Sequence, residues 1–471
     1  MRFGSYRWWL LALLGGAYFF HQADRALFGV LTPYVQSDLG LTKLQIGHIS
    51  TVLFLTVGVV TFLAGFLGDR FSRKWIITFS LMAWSLATVA LGFAGDLRVA
   101  GVTVSAYLCV MFLRSVATGG GESFYAPSAM SLLAAYHEKT RSLAFSIHQA
   151  ALYIGLMSSG FLALWTLGLL GTWRCVFVAF GAAGFLLGVL FIWALREPER
   201  TKAAPSVPAR LPLGENLKAF FGNPSALLAT TGFVAIVCVN NAYLVWAPTL
   251  FAGRFGVDAV RAGADAMFYH HLVAFGAILA GGWLTDRFVG RYPRFRLGLQ
   301  IAALLGGAPA LVLIGRSGSF VAAVVLTAAY GLFRGLFEVN THASVFDVVP
   351  ARYRASVVGF MLLLAMTLGA LFSGELVGWV LHAFPARGYS ICFLLMGATY
   401  LLAALCMSVS FFFTFHRSTI PPFHRFTIPP FQPCRIMSFS SCYSDRMRTP
   451  GVLSGSASFS PNARSTEIPN S

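Results

Sequence analysis

"AGFLGDRFSRK", Ala64 to Lys74, and "AGGWLTDRFVGR", Ala280 to Arg291, are two versions of one phrase. Asp69-Arg70-Phe71 matches Asp286-Arg287-Phe288, and each phrase follows directly on an apolar run of membrane-spanning length. Upstream of each, Pro33 and Pro248 mark a helix end that leads to a glycine-containing segment. The offset is close to 216 residues in both cases. A charged loop repeated at half the chain's length, between apolar spans, indicates two parallel repeats. Chains built this way place a transport site near mid-membrane, between the halves.

The composition agrees. The 471 residues are 57% hydrophobic and 11% charged, with a mean hydropathy of +0.72; a soluble domain is about 25% charged. Each crossing of ~30 Å of hydrocarbon needs about 20 apolar residues, and such runs recur along almost the whole chain. The expected fold is all-α and polytopic, with twelve transmembrane helices in two six-helix bundles. The 44 Phe supply bulk toward lipid and the 47 Gly allow close helix contacts. Spans are expected at 8–32, 46–67, 75–95, 102–125, 143–167 and 173–195, then at 225–250, 266–285, 297–315, 318–341, 356–381 and 388–413. The domains are then a first bundle (1–195), a polar central loop (196–219), a second bundle (220–414) and a tail (415–471). The tail opens with "FHRSTIPP" and "FHRFTIPP", shows no amphipathic period and is expected to be disordered or a reading-frame artefact.

Arg2, Arg7 and an apolar core imitate a signal peptide, but the run continues to full span length with no small-residue cleavage site, so it reads as the first span. The segments on the side of the N-terminus hold 18 Lys and Arg before the tail, against 7 on the other side. The asymmetry places both termini in the cytoplasm, in a multi-pass protein of the cell (inner) membrane. A net charge of +17 does not indicate nucleic acid, because the basic residues are spread over loops. Seven scattered cysteines without a Cys-x-x-Cys give neither a disulfide framework nor a metal site. "GGGES" lacks the Gly-Lys-Ser/Thr ending of a phosphate loop, and no catalytic His/Asp arrangement appears, so no enzyme and no cofactor are expected.

"GFLGDRFSRK" resembles the loop motif of the major facilitator superfamily, with Ser72 where that family usually has glycine. "ADRALFGVLTPYVQSDLGLTKLQIG" (23–47), "LRSVATGGGESFYAPSAMSLL" (113–133) and "DVVPARYRASVVGF" (347–360) are similar to the Spinster-like and anion:cation symporter branches. The resemblance implies alternating access, protons and a small molecule as partners within the lipid bilayer, and a protein working as a monomer. It implies that Asp24 and Glu122 carry proton coupling, while Arg25 and Arg114 touch the substrate or the acids. It further implies that Gly65, Gly68, Asp69, Arg70, Arg73 and Lys74, with Asp286 and Arg287, form a conformational gate. The transported substrates of these branches range over organic anions, sugar acids and lysolipids.

The residues speak to the same point. An ionised group at membrane depth costs several kcal/mol unless it is paired or wetted. His21, Asp24 and Arg25 nevertheless lie inside the first apolar run, and Arg114 and Glu122 inside the fourth. On an ideal α-helix, Arg114 and Glu122 stand about 80° apart around the axis and ~12 Å along it, facing one cavity without touching. Asp24 is the natural partner of Arg114, or Arg25 of Glu122. Two acids and two bases exceed what one fixed helix staple needs. They read as proton carriers beside anion-binding arginines, and the competing reading is a permanent ion pair. In the second half, Arg334 and Glu338 have the i, i+4 spacing of a local pair. Glu338 and Asn340, with Asn240, Asn241 and Tyr243, read as cavity lining, as do Gln149 and Tyr153; interhelical hydrogen bonding is the alternative for these. His21 reads first as a plain hydrogen-bond partner, with a proton relay as the alternative. The functional expectation is a secondary transporter performing proton-coupled symport of a small organic anion, a sugar acid or other carboxylate. The alternatives are an exporter of lysolipid or another amphiphile, and a non-transporting membrane sensor.

Overall fold

A computed structural model describes residues 3–67, 71–99, 102–137, 140–197, 213–292, 294–350 and 353–418. The first half contains α1 (Phe3–Leu39), α2 (Lys43–Leu67) and α3 (Arg73–Leu91), then a hairpin of β1 (Leu97–Val99) and β2 (Val102–Val104). A composite fourth crossing follows: α4 (Ala106–Val110), a π-helical segment (Met111–Thr118), α5 (Gly119–Glu122) and α6 (Tyr125–Tyr136). The half ends with α7 (Arg141–Leu170) and α8 (Trp173–Ala194). A short α9 (Leu213–Phe221) leads to the second half: α10 (Pro224–Phe255), α11 (Ala259–Val289), α12 (Phe295–Arg316), α13 (Phe320–Glu338) and α14 (Thr341–Val348). The eleventh crossing is again composite, α15 (Arg354–Ala370), a π-helical segment (Leu371–Leu376) and α16 (Val377–Ala383), and α17 (Gly388–Ser418) closes the bundle.

Among the described residues, ten helical runs are long and apolar enough to cross a membrane. The runs outside that set are α1 and the composite fourth crossing, and these two carry the buried charges of the first half. Several expected boundaries differ: α1 and α11, for example, run past 8–32 and 266–285 at both ends. The fourth crossing begins at Ala106 rather than 102, because 97–104 pairs as an antiparallel hairpin with Leu97 opposite Val104. Asp96 Oδ1 accepts from the Ala106 N–H at 2.7 Å and Ser105 caps the first turn. The crossing then runs on to Tyr136. The central segment also contains α9, which was expected to be loop. Glu215 in its first turn and Lys218 in its last suit the helix dipole, and Phe220 is buried against Ala226, Val345, Val357 and Met361. From residue 419 on, the tail lies outside the described residues.

Within the first half α1 packs on α7 and α3 on α8; within the second α11 and α12 pack on α13. The halves meet along α1/α10, α2/α15 and α7/α11. Within about a dozen residues of the turns opposite the N-terminus, these seams close to backbone contact. A Cβ on Gly29 would stand 2.2 Å from the Leu244 carbonyl oxygen, one on Gly47 2.4 Å from that of Gly374, and one on Gly160 2.2 Å from the Ala264 Cα. Tyr34 donates to Asp258 across the same face at 2.9 Å, and His48 Nε2 lies 3.3 Å from Glu375 Oε2.

Candidate transport site

The site begins with the run of three glycines in the fourth crossing. Gly119 faces Leu53 of α2, and Gly121 faces Trp84 of α3 so closely that an added Cβ would lie 3.0 Å from it. Ser80 and Ser115 donate to the carbonyls of Gly121 and Ile49, each at 2.6 Å. This tight packing buries Arg114 and Glu122 and turns both toward α1.

There the four charges form one network. Arg114 Nη1 is 3.6 Å from Asp24 Oδ2 and 3.9 Å from Glu122 Oε1, and its Nη2 donates to the Arg25 carbonyl at 3.1 Å. Arg25 Nη2 is 3.2 Å from Glu122 Oε2. Both pairings open to the sequence therefore exist together, with Arg114 holding Asp24. The expectation that Arg114 and Glu122 do not touch is overturned. The chain between them is partly π-helical, so each residue there turns through less than the ~100° of an α-helix, and the two faces come together. Exposure separates the members: the Glu122 side chain is 0% exposed, Arg114 2%, Asp24 7% and Arg25 19%. The cavity beside Arg25 and Arg114 has an accessible volume of only ≈ 10 Å³, walled by Phe28, Leu53 and Leu244; that is room for about one water.

Neutral groups surround the network; among them His21 was expected, while Thr88 carries no signal of its own in the sequence. Thr88 donates to Asp24 Oδ2 at 3.2 Å. His21 accepts at Nδ1 from the Gln22 amide at 2.8 Å, which leaves its proton on Nε2, 3.8 Å from Glu122. Tyr18, Tyr125 and His148 stack beneath it.

In the second half, Arg334 Nη2 pairs with Glu338 at 3.1 Å and Nη1 donates to His270 Nε2 at 3.2 Å. The Arg334 side chain is 7% exposed and that of Glu338 33%. The remaining expected residues scatter. Tyr243 is buried and donates to the Ala266 carbonyl at 2.8 Å, and Asn340 donates to Thr285 at 2.9 Å, so both tie helices of one half together. Asn240 and Asn241 keep a buried Oδ1 and Nδ2, respectively, without a hydrogen-bond partner. Gln149 is exposed, while Tyr153 is buried.

Of the gate motif, Gly68, Asp69 and Arg70 lie outside the described residues, and Gly65 lies in the last turn of α2. Ser72 and the Arg73 N–H both bond the Glu197 carboxylate, the latter at 3.1 Å. A carboxylate at the N-terminus of α3 complements the helix dipole, and Ser72, standing where glycine is usual, supplies the anchoring hydroxyl. Lys74 lies over the Trp75 ring, and Asp286 and Arg287 are exposed at the end of α11.

The gallate transporter of Pseudomonas putida is 26% identical over 433 residues, covering 85% of this chain and 91% of its own. The hexuronate transporter of Bacillus subtilis is 24% identical over 394 residues, covering 81% of this chain and 89% of its own. Among solved structures, a bacterial homologue of the human lysosomal transporter Spinster, in an inward-facing and unoccupied conformation, matches with a TM-score of 0.68. It is 19% identical, and the match covers 88% of this chain and 96% of that one. Residues 14–374 match the family profile described as Major Facilitator Superfamily, and the chain belongs to that superfamily of transporters.

Proposed function

We propose that the protein is a proton-coupled symporter of a small organic anion, a sugar acid or other carboxylate, working as a monomer by alternating access. The observation that carries this reading is the buried Asp24–Arg114–Glu122–Arg25 network. Fully ionised, its charges cancel. A proton on Glu122 removes the counter-charge held 3.2 Å from Arg25, the one member with appreciable exposure. An arriving carboxylate restores the balance. Proton and anion therefore favour each other's binding, and by linkage each raises the other's affinity by the same factor. Arg114, held by Asp24, Glu122 and the Arg25 carbonyl, connects the two acids. The excess of Lys and Arg on the N-terminal side supports cytoplasmic termini in the cell inner membrane, which makes the backbone-sealed face the outer one.

The test is uptake of labelled sugar acids and other carboxylates into proteoliposomes with and without an inwardly directed proton gradient. Accumulation that follows the gradient, and that Glu122→Gln lowers about tenfold or more, supports symport. A second reading, export of an amphiphile, draws on the apolar crevice formed by Ala90, Phe93, Leu97, Leu108 and Phe112. Movement of lysolipid with no carboxylate uptake would replace the first reading with the second.

A further inference from the structure

The eleventh crossing makes a second charged contact with the first half, outside the buried network. Its π-helical segment, Leu371–Leu376, interrupts the α-helical ladder, and two carbonyls there take bonds from other helices. Thr51 of α2 donates to the Ala370 carbonyl at 3.4 Å, and Trp246 of α10 to that of Ser373 at 2.7 Å. So held, Gly374 is pressed against Gly47 of α2: a Cβ on either would stand 2.4 Å from the other's carbonyl oxygen. The next residue on each side is ionisable. Glu375 follows Gly374, His48 follows Gly47, and His48 Nε2 lies 3.3 Å from Glu375 Oε2. Tyr107 of α4 sets its hydroxyl 3.3 Å from His48 Nδ1. Backbone seal and polar pair are therefore one seam, and the halves cannot part at Gly47 without parting His48 from Glu375.

The pair differs from the network in its access to water. The His48 and Glu375 side chains are 36% and 40% exposed, and His48 stands within two turns of the start of α2, at the end opposite the N-terminus. A neutral imidazole here accepts from Tyr107 at Nδ1 and donates to Glu375 from Nε2. An imidazolium donates from both nitrogens and adds a full charge opposite the carboxylate. The closed seam fits both forms and holds the charged one more tightly. Of the other ionisable groups on elements packed against α2, Arg114, Glu122 and Tyr125 are buried in the first half. Tyr136 and Arg354 lie at the far ends of α6 and α15, and Lys43 and His382 at the near ends of α2 and α16.

We infer that His48, Glu375 and Tyr107 form a second proton-binding site, which latches the face opposite the N-terminus more firmly as the solution on that face turns acidic. Histidine changes charge between about pH 5 and 8. Below that range the latch has its full charge-assisted strength, and above it that part is lost. A partly exposed ion pair is worth up to about 1 kcal/mol, or about two- to fivefold in the equilibrium between closed and open forms. External acid thus biases the resting protein toward the form closed on that face. Neither the substrate nor the Asp24–Glu122 network enters this inference, so it stands or falls apart from the symport reading.

The experiment is hydrogen–deuterium exchange of the full chain in lipid nanodiscs without substrate, at about pH 5 and about pH 8, corrected for the intrinsic pH dependence of amide exchange. The readout is protection of residues 43–50 and 371–378. The wild type is expected to be about two- to fivefold better protected at the acidic pH. His48→Gln and Glu375→Gln should each remove the difference. His48→Arg, charged at both pH values, should keep the higher protection at both. Equal protection of the wild type at the two pH values, or a difference that survives in either glutamine variant, overturns the latch. Low protection of His48→Arg at both pH values overturns it as well, because the seam would then depend on the shape of the ring and not on its charge.

Discussion

The two halves repeat each other in sequence, yet they bury polar groups in opposite ways. The first half packs two acids and two arginines into a closed, self-neutralising knot between α1 and the fourth crossing. The second keeps one ion pair, Arg334–Glu338, partly exposed on the glutamate side and braced by the neutral ring of His270. The lesson is that the two copies of a repeat can carry charge differently: one buries a four-member network, the other a single pair. A repeat fixes where helices lie, not what they carry.

The comparison breaks most visibly if the two buried arginines prove equivalent. Arg114→Ala strands two carboxylates that are almost wholly buried, and removing one partner of such a pair costs about 3–5 kcal/mol. Arg334→Ala leaves Glu338, whose side chain is 33% exposed, so water offsets part of the loss and about 1–2 kcal/mol is expected. Thermal unfolding of the two purified variants in detergent measures the difference, and equal losses would contradict the contrast.

Next in size is the effect on coupling. Glu122→Gln is expected to lower gradient-driven accumulation about tenfold or more while substrate exchange at equal pH continues. Glu338→Gln should keep the ratio of uptake with and without the gradient. Counterflow and gradient-driven uptake on the same vesicles separate the two, and gradient dependence lost in Glu338→Gln would assign proton coupling to both halves.

The smallest effect sharpens the comparison at the loops. Val289 occupies in the second phrase the place of Ser72 in the first. Ser72→Val gives the first copy the second's residue and removes the bond to Glu197. A loss of about 1 kcal/mol in stability is expected, with coupling unaffected, as read by unfolding and by gradient-driven uptake.

Much of this was legible in the chain. Charge inside an apolar run is conspicuous, so Asp24, Arg25, Arg114 and Glu122 stand out from sequence alone. The repeated Asp-Arg-Phe phrase gives the two-bundle plan. What was hidden has physical reasons. A π-helical segment leaves no mark in hydropathy, so the ideal α-helical angle kept Arg114 and Glu122 apart when the structure joins them. Thr88 and Trp84 are ordinary residues for a helix, and only packing shows that they stand beside Asp24 and His21. The short α9 sits beside a Pro-rich stretch, and tertiary burial of Phe220 outweighs that local signal.

The seams at Gly29, Gly47 and Gly160 have a consequence for how such a protein diversifies. Glycine is the smallest residue, so every substitution at these points adds atoms where a Cβ already meets backbone within 2.4 Å. The seal admits no graded adjustment: natural drift or directed evolution can enlarge a cavity wall or swap a hydroxyl one step at a time, but at the seal each available step is a wedge. Change must therefore accumulate away from these three points, while the closing surface is inherited unchanged, as a hinge is kept when the lock is replaced.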